Sequence, residues 1–145
     1  MTIYNMYMFD RNGTLLHYAE WHRNKEAGMS RTEEAKLMYG MIFSLKSFVS
    51  KVSPLDIKDG YLHYSTNKYR LHLYETPSRL RIVLNTDLLV QNVKELLHLI
   101  FSQVYVEYVV HNPECALGQP IQSQLFATRL DEIVKQHPGF AVRSV

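Results

Sequence analysis

Apolar and polar positions open the chain in a period of two. Residues 3 to 9 and 14 to 20 are apolar runs rich in β-branched and aromatic residues, split by Asp10-Arg11-Asn12-Gly13. Gly13 can supply the positive φ that a short loop needs, so the pattern predicts a β-hairpin. In the first run Ile3, Tyr7 and Phe9 point one way and Tyr4, Met6 and Met8 the other. Both faces are then apolar, as expected of a central strand.

The period changes after a polar linker from Trp21 to Arg31 that carries Gly28. Thr32 can cap a helix whose first turn holds Glu33 and Glu34. Met38, Met41, Ile42, Leu45, Phe48, Val49 and Val52 recur at helical spacing to about Ser53, and Pro54 stops the run. That stripe predicts a helix lying on the sheet. Three further strands are expected at 60–66, 69–76 and 79–85, separated by Asn67-Lys68 and Pro77-Ser78. Leu71 and Leu73 alternate with Arg70 and His72, and Leu80, Ile82 and Leu84 with Arg81, Val83 and Asn85, which suits strands with one mainly buried face.

From Asn92 to Asn112 the stripe Val93, Leu96, Leu97, Ile100, Val104, Tyr108 marks a second helix. Its second half, Val104-Tyr105-Val106-Glu107-Tyr108-Val109-Val110, has the composition of a strand, and only the lack of a break before it favours helix. Pro113 ends the element. Ser123 can cap a last helix carrying Leu125, Phe126, Leu130, Ile133 and Val134, which stops at Pro138-Gly139. The order predicts a single α+β domain over 1–145: a five-stranded antiparallel sheet, two long helices and a C-terminal helix, in two layers with the long helices on one face.

Composition narrows the function classes. With 145 residues, 46% hydrophobic and 21% charged, the chain reads as a globular domain able to bury its own core. Sixteen Lys and Arg against fourteen Asp and Glu leave +2, with the basic residues scattered, which argues against nucleic acid as a partner. One cysteine, Cys115, excludes an internal disulfide framework and suits the cytosol. The N-terminus lacks a basic region before an apolar run, and no stretch approaches about 18 uninterrupted apolar residues. Thr2 stands where myristoylation requires glycine, and the C-terminus has no prenylation cysteine. Membranes are expected to be reached only through partners.

Candidate chemistry is thin. His17, Glu20 and His22 could suggest zinc, but on a strand His17 and Glu20 face opposite sides and His22 falls at the strand end or beyond it. Cys115 and His111 could suggest a nucleophile and base, but Pro113 breaks any shared helix face and no orienting acid stands nearby. His63 and His72 lie on adjacent strands. No phosphate loop, dinucleotide glycine pattern, cysteine pair or nucleophile elbow occurs. The expectation is no catalytic residue, no cofactor and no metal.

The chain carries more apolar surface than one core can use. In the first helix Tyr39 and Phe43 fall opposite the sheet-facing stripe, beside the small residues Gly40, Ser44 and Ser47. A glycine inside a helix costs about 1 kcal/mol relative to alanine, and close approach of another helix would account for it. Tyr105, Val106 and Val109 likewise fall outside the second helix's stripe. These eight residues are the expected partner interface.

Several fragments taken in order resemble a known family. They are Tyr7-Met8-Phe9-Asp10-Arg11-Asn12-Gly13, Glu20-Trp21-His22-Arg23, Lys36-Leu37-Met38-Tyr39-Gly40-Met41, Lys46-Ser47-Phe48-Val49-Ser50-Lys51, Ser53-Pro54-Leu55-Asp56, Leu73-Tyr74-Glu75-Thr76-Pro77, Asn85-Thr86-Asp87 and Asn112-Pro113-Glu114-Cys115. Together they span nearly the whole chain and resemble the small sedlin-like subunits of the TRAPP (trafficking protein particle) complex, within them the subunit 1 branch. The resemblance implies a longin-like (profilin-like) fold and assembly with other TRAPP subunits. It further implies vesicle tethering between endoplasmic reticulum and Golgi, with nucleotide exchange on a Rab GTPase by the assembled complex. The rival reading is a stand-alone longin-like regulatory domain that binds a peptide or small ligand.

Overall fold

A computed structural model describes residues 3–21, 30–52, 60–111, 113, 120–121 and 123–137. Strands β1 (Ile3–Phe9) and β2 (Leu15–Glu20) precede helix α1 (Arg31–Val52). Strands β3 (Tyr61–Ser65), β4 (Arg70–Glu75) and β5 (Arg81–Thr86) follow. Helix α2 (Val93–Leu99) runs on as a π-helix over Ile100–Val110, and α3 (Gln124–Gln136) comes last. The strands form one antiparallel sheet in the order β2-β1-β5-β4-β3, so β5 is central and β1 sits between β2 and β5.

Local chemistry explains the joints. Asp10 Oδ1 accepts from the backbone N–H of Asn12 and Thr14, each at 2.9 Å, and Gly13 completes the hairpin loop at φ 85°. Arg79, at φ 69°, closes the loop between β4 and β5, where the Thr76 hydroxyl accepts from Leu80 N–H. Helix α1 is capped by Ser30, whose Oγ accepts from Glu33 N–H at 3.2 Å, two residues before the expected Thr32. Ser123 caps α3 as expected, accepting from Phe126 N–H at 3.3 Å. The expected stops Ser53 and Pro54, and Gly28, lie outside the described residues.

The helices divide between the two faces of the sheet. Met6, Met8, Tyr74, Ile82 and Leu84 point to one face and pack with α2, the π-helix and α3 through Val93, Leu96, Leu97, Ile100, Val104, Phe126, Leu130 and Val134. Tyr7, Phe9, Leu71, Leu73 and Val83 point to the other and meet α1 at Ala35 and Ile42. The expected arrangement with the long helices on one face is therefore corrected: strands apolar on both sides need cover on both sides. Ile3 is corrected too. It packs with Met6 and Met8 instead of Tyr7 and Phe9, because the β1–β5 register shifts between Ile3 and Asn5.

The ambiguous segment 104–110 is helical, but wound with the wider i→i+5 turn. His111 N–H accordingly reaches back to the Val106 carbonyl at 3.1 Å. The buried positions Ile100, Val104 and Val109 fall further apart than one face of an α-helix would place them.

Candidate functional site

The residues that could carry chemistry are dispersed and mostly structural. His17 stacks edge-on against Phe126 of α3, at 4.9 Å between ring centroids. Burial pushes its pKa below the ordinary value, although the Asp131 carboxylate pulls the other way. Glu20 accepts from the Tyr18 hydroxyl at 2.9 Å, and His22 lies outside the described residues. Among the described residues no three His, Cys, Asp or Glu side chains are grouped to hold a metal ion. His111 ends the π-helix, and Cys115 lies outside the described residues.

His63 and His72 do face each other across β3 and β4, and His72 is a buried structural group. The Thr86 hydroxyl donates to the Asp87 carbonyl at 2.9 Å, so it accepts from His72 Nε2–H at 2.9 Å. Nδ1 is then left to accept from the Tyr61 hydroxyl at 2.7 Å. Both ring nitrogens are used by the neutral form. Burial, then the neighbouring His63 and Arg70, holds the pKa down at about 3.

The expected interface residues split. Tyr39 does not turn outward: its ring lies 5.6 Å from that of Phe9, and its hydroxyl accepts from Arg81 Nη1 at 2.8 Å. The Arg81 guanidinium also lies over the Tyr39 ring, 5.4 Å from its centroid. Val109 is buried in the larger core, turned inward by the π winding. Tyr105 is half-buried against that core and stacks on Phe101 at 6.0 Å, and Val106 is half-buried. Helix α3 packs against the π-helix through the larger core.

What stays open is the outer side of α1. Leu37 and Phe48 are each 63% exposed, Met41 41% and Phe43 57%, with exposed Gly40 and Ser44 and half-buried Ser47 beside them. A Cβ added at Gly40 would meet nothing within 4 Å. Met41 and Phe48, expected to face the sheet, thus face outward, and Leu37 was missed.

The inner side of α1 explains the reversal, because polar groups hold it alongside the small apolar set of Ala35, Met38 and Ile42. The Tyr7 hydroxyl donates to Glu34, Arg81 to Tyr39, and the Lys46 ammonium to Glu75. Arg81 is 7% exposed, and its Nε stands 3.8 Å from the Glu75 carboxylate without a hydrogen bond of its own. A charged residue pattern on one strand cannot reveal that a helix will bring the opposite charge to it. A separate cavity of about 530 Å³ lies beside the outer edge of β2, lined by Leu15, Tyr18, Thr32, Lys36, Pro120 and Ile121 among others.

The sheet order and the division of helices between its two faces define a longin-like α+β domain. The chain belongs to the Sybindin-like family, whose model matches residues 3–137. It is 57% identical over 144 residues to trafficking protein particle complex subunit 1 of Homo sapiens, covering 99% of each chain. It is 40% identical over 118 residues to trafficking protein particle complex subunit BET5 of Saccharomyces cerevisiae, covering 77% of this chain and 74% of that one. Among solved structures it is similar to the gliding protein MglB from Thermus thermophilus, with a TM-score of 0.46 and 17% identity over 66% of this chain and 69% of that one.

Proposed function

We propose that this chain is a non-catalytic core subunit of the TRAPP tethering complex in transport from endoplasmic reticulum to Golgi. In this reading it contributes to an assembly that exchanges guanine nucleotide on a Rab GTPase. It joins sibling subunits through the outer side of α1, around Gly40, Phe43, Ser44 and Ser47, extended by Leu37, Met41 and Phe48. It meets cis-Golgi and endoplasmic reticulum membranes peripherally through the complex; no helix of the described residues is long and apolar enough to cross one.

The observation that carries the reading is the apolar ridge on α1. Large apolar side chains exposed along one helix face are what a protein interface presents before it is covered. The names of the relatives supply the kind of assembly. The assembled core would open the GTPase by binding it, without a nucleophile or base from this chain.

Co-expression with candidate TRAPP subunits, read by native mass spectrometry, tests the proposal. The wild-type chain is expected in a hetero-oligomer, and Phe48→Glu is expected to drop out of it while circular dichroism shows a native fold. Nucleotide release from the Rab should fall with that loss and stay unchanged in Cys115→Ser and His111→Ala. A loss of exchange of about a hundredfold in either of the last two, with assembly intact, would mark a general base or nucleophile and overturn the non-catalytic reading.

A further inference from the structure

We infer that the segment following α3 docks back onto α2 of its own chain and seats Phe140 in a pocket there. The pocket, of about 480 Å³, is lined by Tyr74 of β4 and by Lys94, Glu95, His98 and Leu99 of α2. Leu99 remains 40% exposed. The Tyr74 hydroxyl lies 3.3 Å from His98 Nδ1, with the two rings edge-on at 6.4 Å, so strand and helix are tied together at the pocket. A site already formed and mainly aromatic and aliphatic suits a single large apolar side chain.

The end of α3 delivers such a side chain to this place. His137 Nε2–H donates to the Asn92 carbonyl at 3.3 Å, which pins the C-cap of α3 to the start of α2. His137 has φ −69° and ψ 134°, the extended conformation that a following proline favours, so the chain turns out of the helix here. From Asn92 to Leu99 the helix rises about 10 Å. Pro138, Gly139 and Phe140 together can span about 10 Å, which brings the Phe140 ring level with the pocket. Phe140 is the first large apolar residue after α3, and Ala141 and Val142 continue the apolar run. Arg143 is the one charged residue in 138–145, and Glu95 offers it a carboxylate beside the seated ring. The short tether keeps Phe140 at a high effective concentration next to the pocket, an advantage that a side chain from another molecule lacks.

Two measurements on the full chain test the docking. The first uses a chain carrying Cys115→Ser, Glu95→Cys and Ala141→Cys, kept dilute, in which closure of a disulfide between positions 95 and 141 is followed by mass spectrometry. Adding Phe140→Ser should slow closure at least about fivefold, because the anchor that holds the two cysteines within bonding distance is gone. Position 140 lies outside the folded elements described, so this comparison does not depend on a change in stability. The second follows chymotrypsin cleavage after Phe140 by the appearance of fragment 1–140. Leu99→Glu should raise that rate at least about fivefold, since cleavage tracks the undocked fraction. Leu99 is already partly exposed, and circular dichroism should show a native fold.

Equal closure with and without Phe140 overturns the inference, as does a cleavage rate that Leu99→Glu leaves unchanged. Closure that accelerates with protein concentration also overturns it, because the segment would then come from a second copy. If Leu99→Glu leaves cleavage unchanged but removes a TRAPP subunit in co-expression, the pocket belongs to that subunit and the docking falls. The outer side of α1 is untouched in every variant, so the proposed function can fail or stand independently.

Discussion

The two faces of the sheet are covered by different means. On the side of α2, the π-helix and α3, a continuous apolar core joins Met6, Met8, Ile82 and Leu84 to Leu96, Ile100, Val104, Phe126 and Leu130. On the side of α1 the apolar set is much smaller, and polar links across the layer take its place: Tyr7 to Glu34, Arg81 to Tyr39 and Lys46 to Glu75. The sheet beneath α1 also carries a polar string, in which Asn85 donates to Asn5 at 2.7 Å and Asn5 to Tyr18 at 3.2 Å. Non-directional apolar contact therefore holds one layer, and directional hydrogen bonds position the other. A helix seated by polar groups can keep its apolar residues for the outside, which is what α1 does.

The largest expected effect tests the apolar side. Phe126→Ala removes a fully buried ring from the contact between α3 and the sheet and should cost about 3–5 kcal/mol in urea unfolding. A loss below about 1 kcal/mol would mean that the core repacks freely and the contrast between the faces is false.

A smaller effect tests the polar exception on that same side, the buried His72. Its folded pKa of about 3 lies below the ordinary 6.5, so the unfolded chain binds the proton first as pH falls. The stabilisation is fully present above pH 6.5 and is lost progressively from there towards pH 3. At pH 5 the loss should be on the order of 2 kcal/mol. Denaturant unfolding of wild type and His72→Gln between pH 7 and pH 4.5 should show a steeper acid decline for the wild type; equal slopes would break the assignment.

Comparable in size is Tyr39→Phe, which keeps the ring over Arg81 but removes the acceptor of its Nη1. The guanidinium is buried, so the change should cost about 1–3 kcal/mol. Amide hydrogen exchange should rise across α1 more than across α2, since α1 depends on that link. Equal acceleration of both helices would show that they open as one unit.

The smallest effect has the opposite sign. Gly40→Ala should stabilise the isolated chain by about 0.5–1 kcal/mol, because alanine favours helix and its methyl group meets open space. Thermal unfolding measures it. A destabilised variant would show that something already lies against this side of α1.

Much of the fold was legible because period and caps are local. The five strands, the hairpin at Gly13, the Ser123 cap and the apolarity of both β1 faces all lie within short windows of sequence. The candidate interface was legible only in part. Phe43, Gly40 and Ser44 do sit on the exposed side of α1, but Tyr39 was assigned outward and Met41 and Phe48 inward. The stripe rule takes the more apolar side of a helix for the buried one, and it fails where the buried side is bound by hydrogen bonds and ion pairs. Val109 was misplaced for another reason: a π turn shifts the face on which later residues emerge, and nothing in Val104 to Val110 announces it.

The sequence by itself determined the strands and helices, the antiparallel meander and the resemblance to the small TRAPP subunits, because hydrophobic period, turn residues and ordered fragments act over short range. Only the tertiary structure decided which helix covers which face, which apolar residues remain outside and how Arg81, Glu75 and Lys46 are matched. Those outcomes depend on groups far apart in the chain meeting in a low-dielectric layer, where a buried charge must find its partner and apolar residues take whatever surface is left.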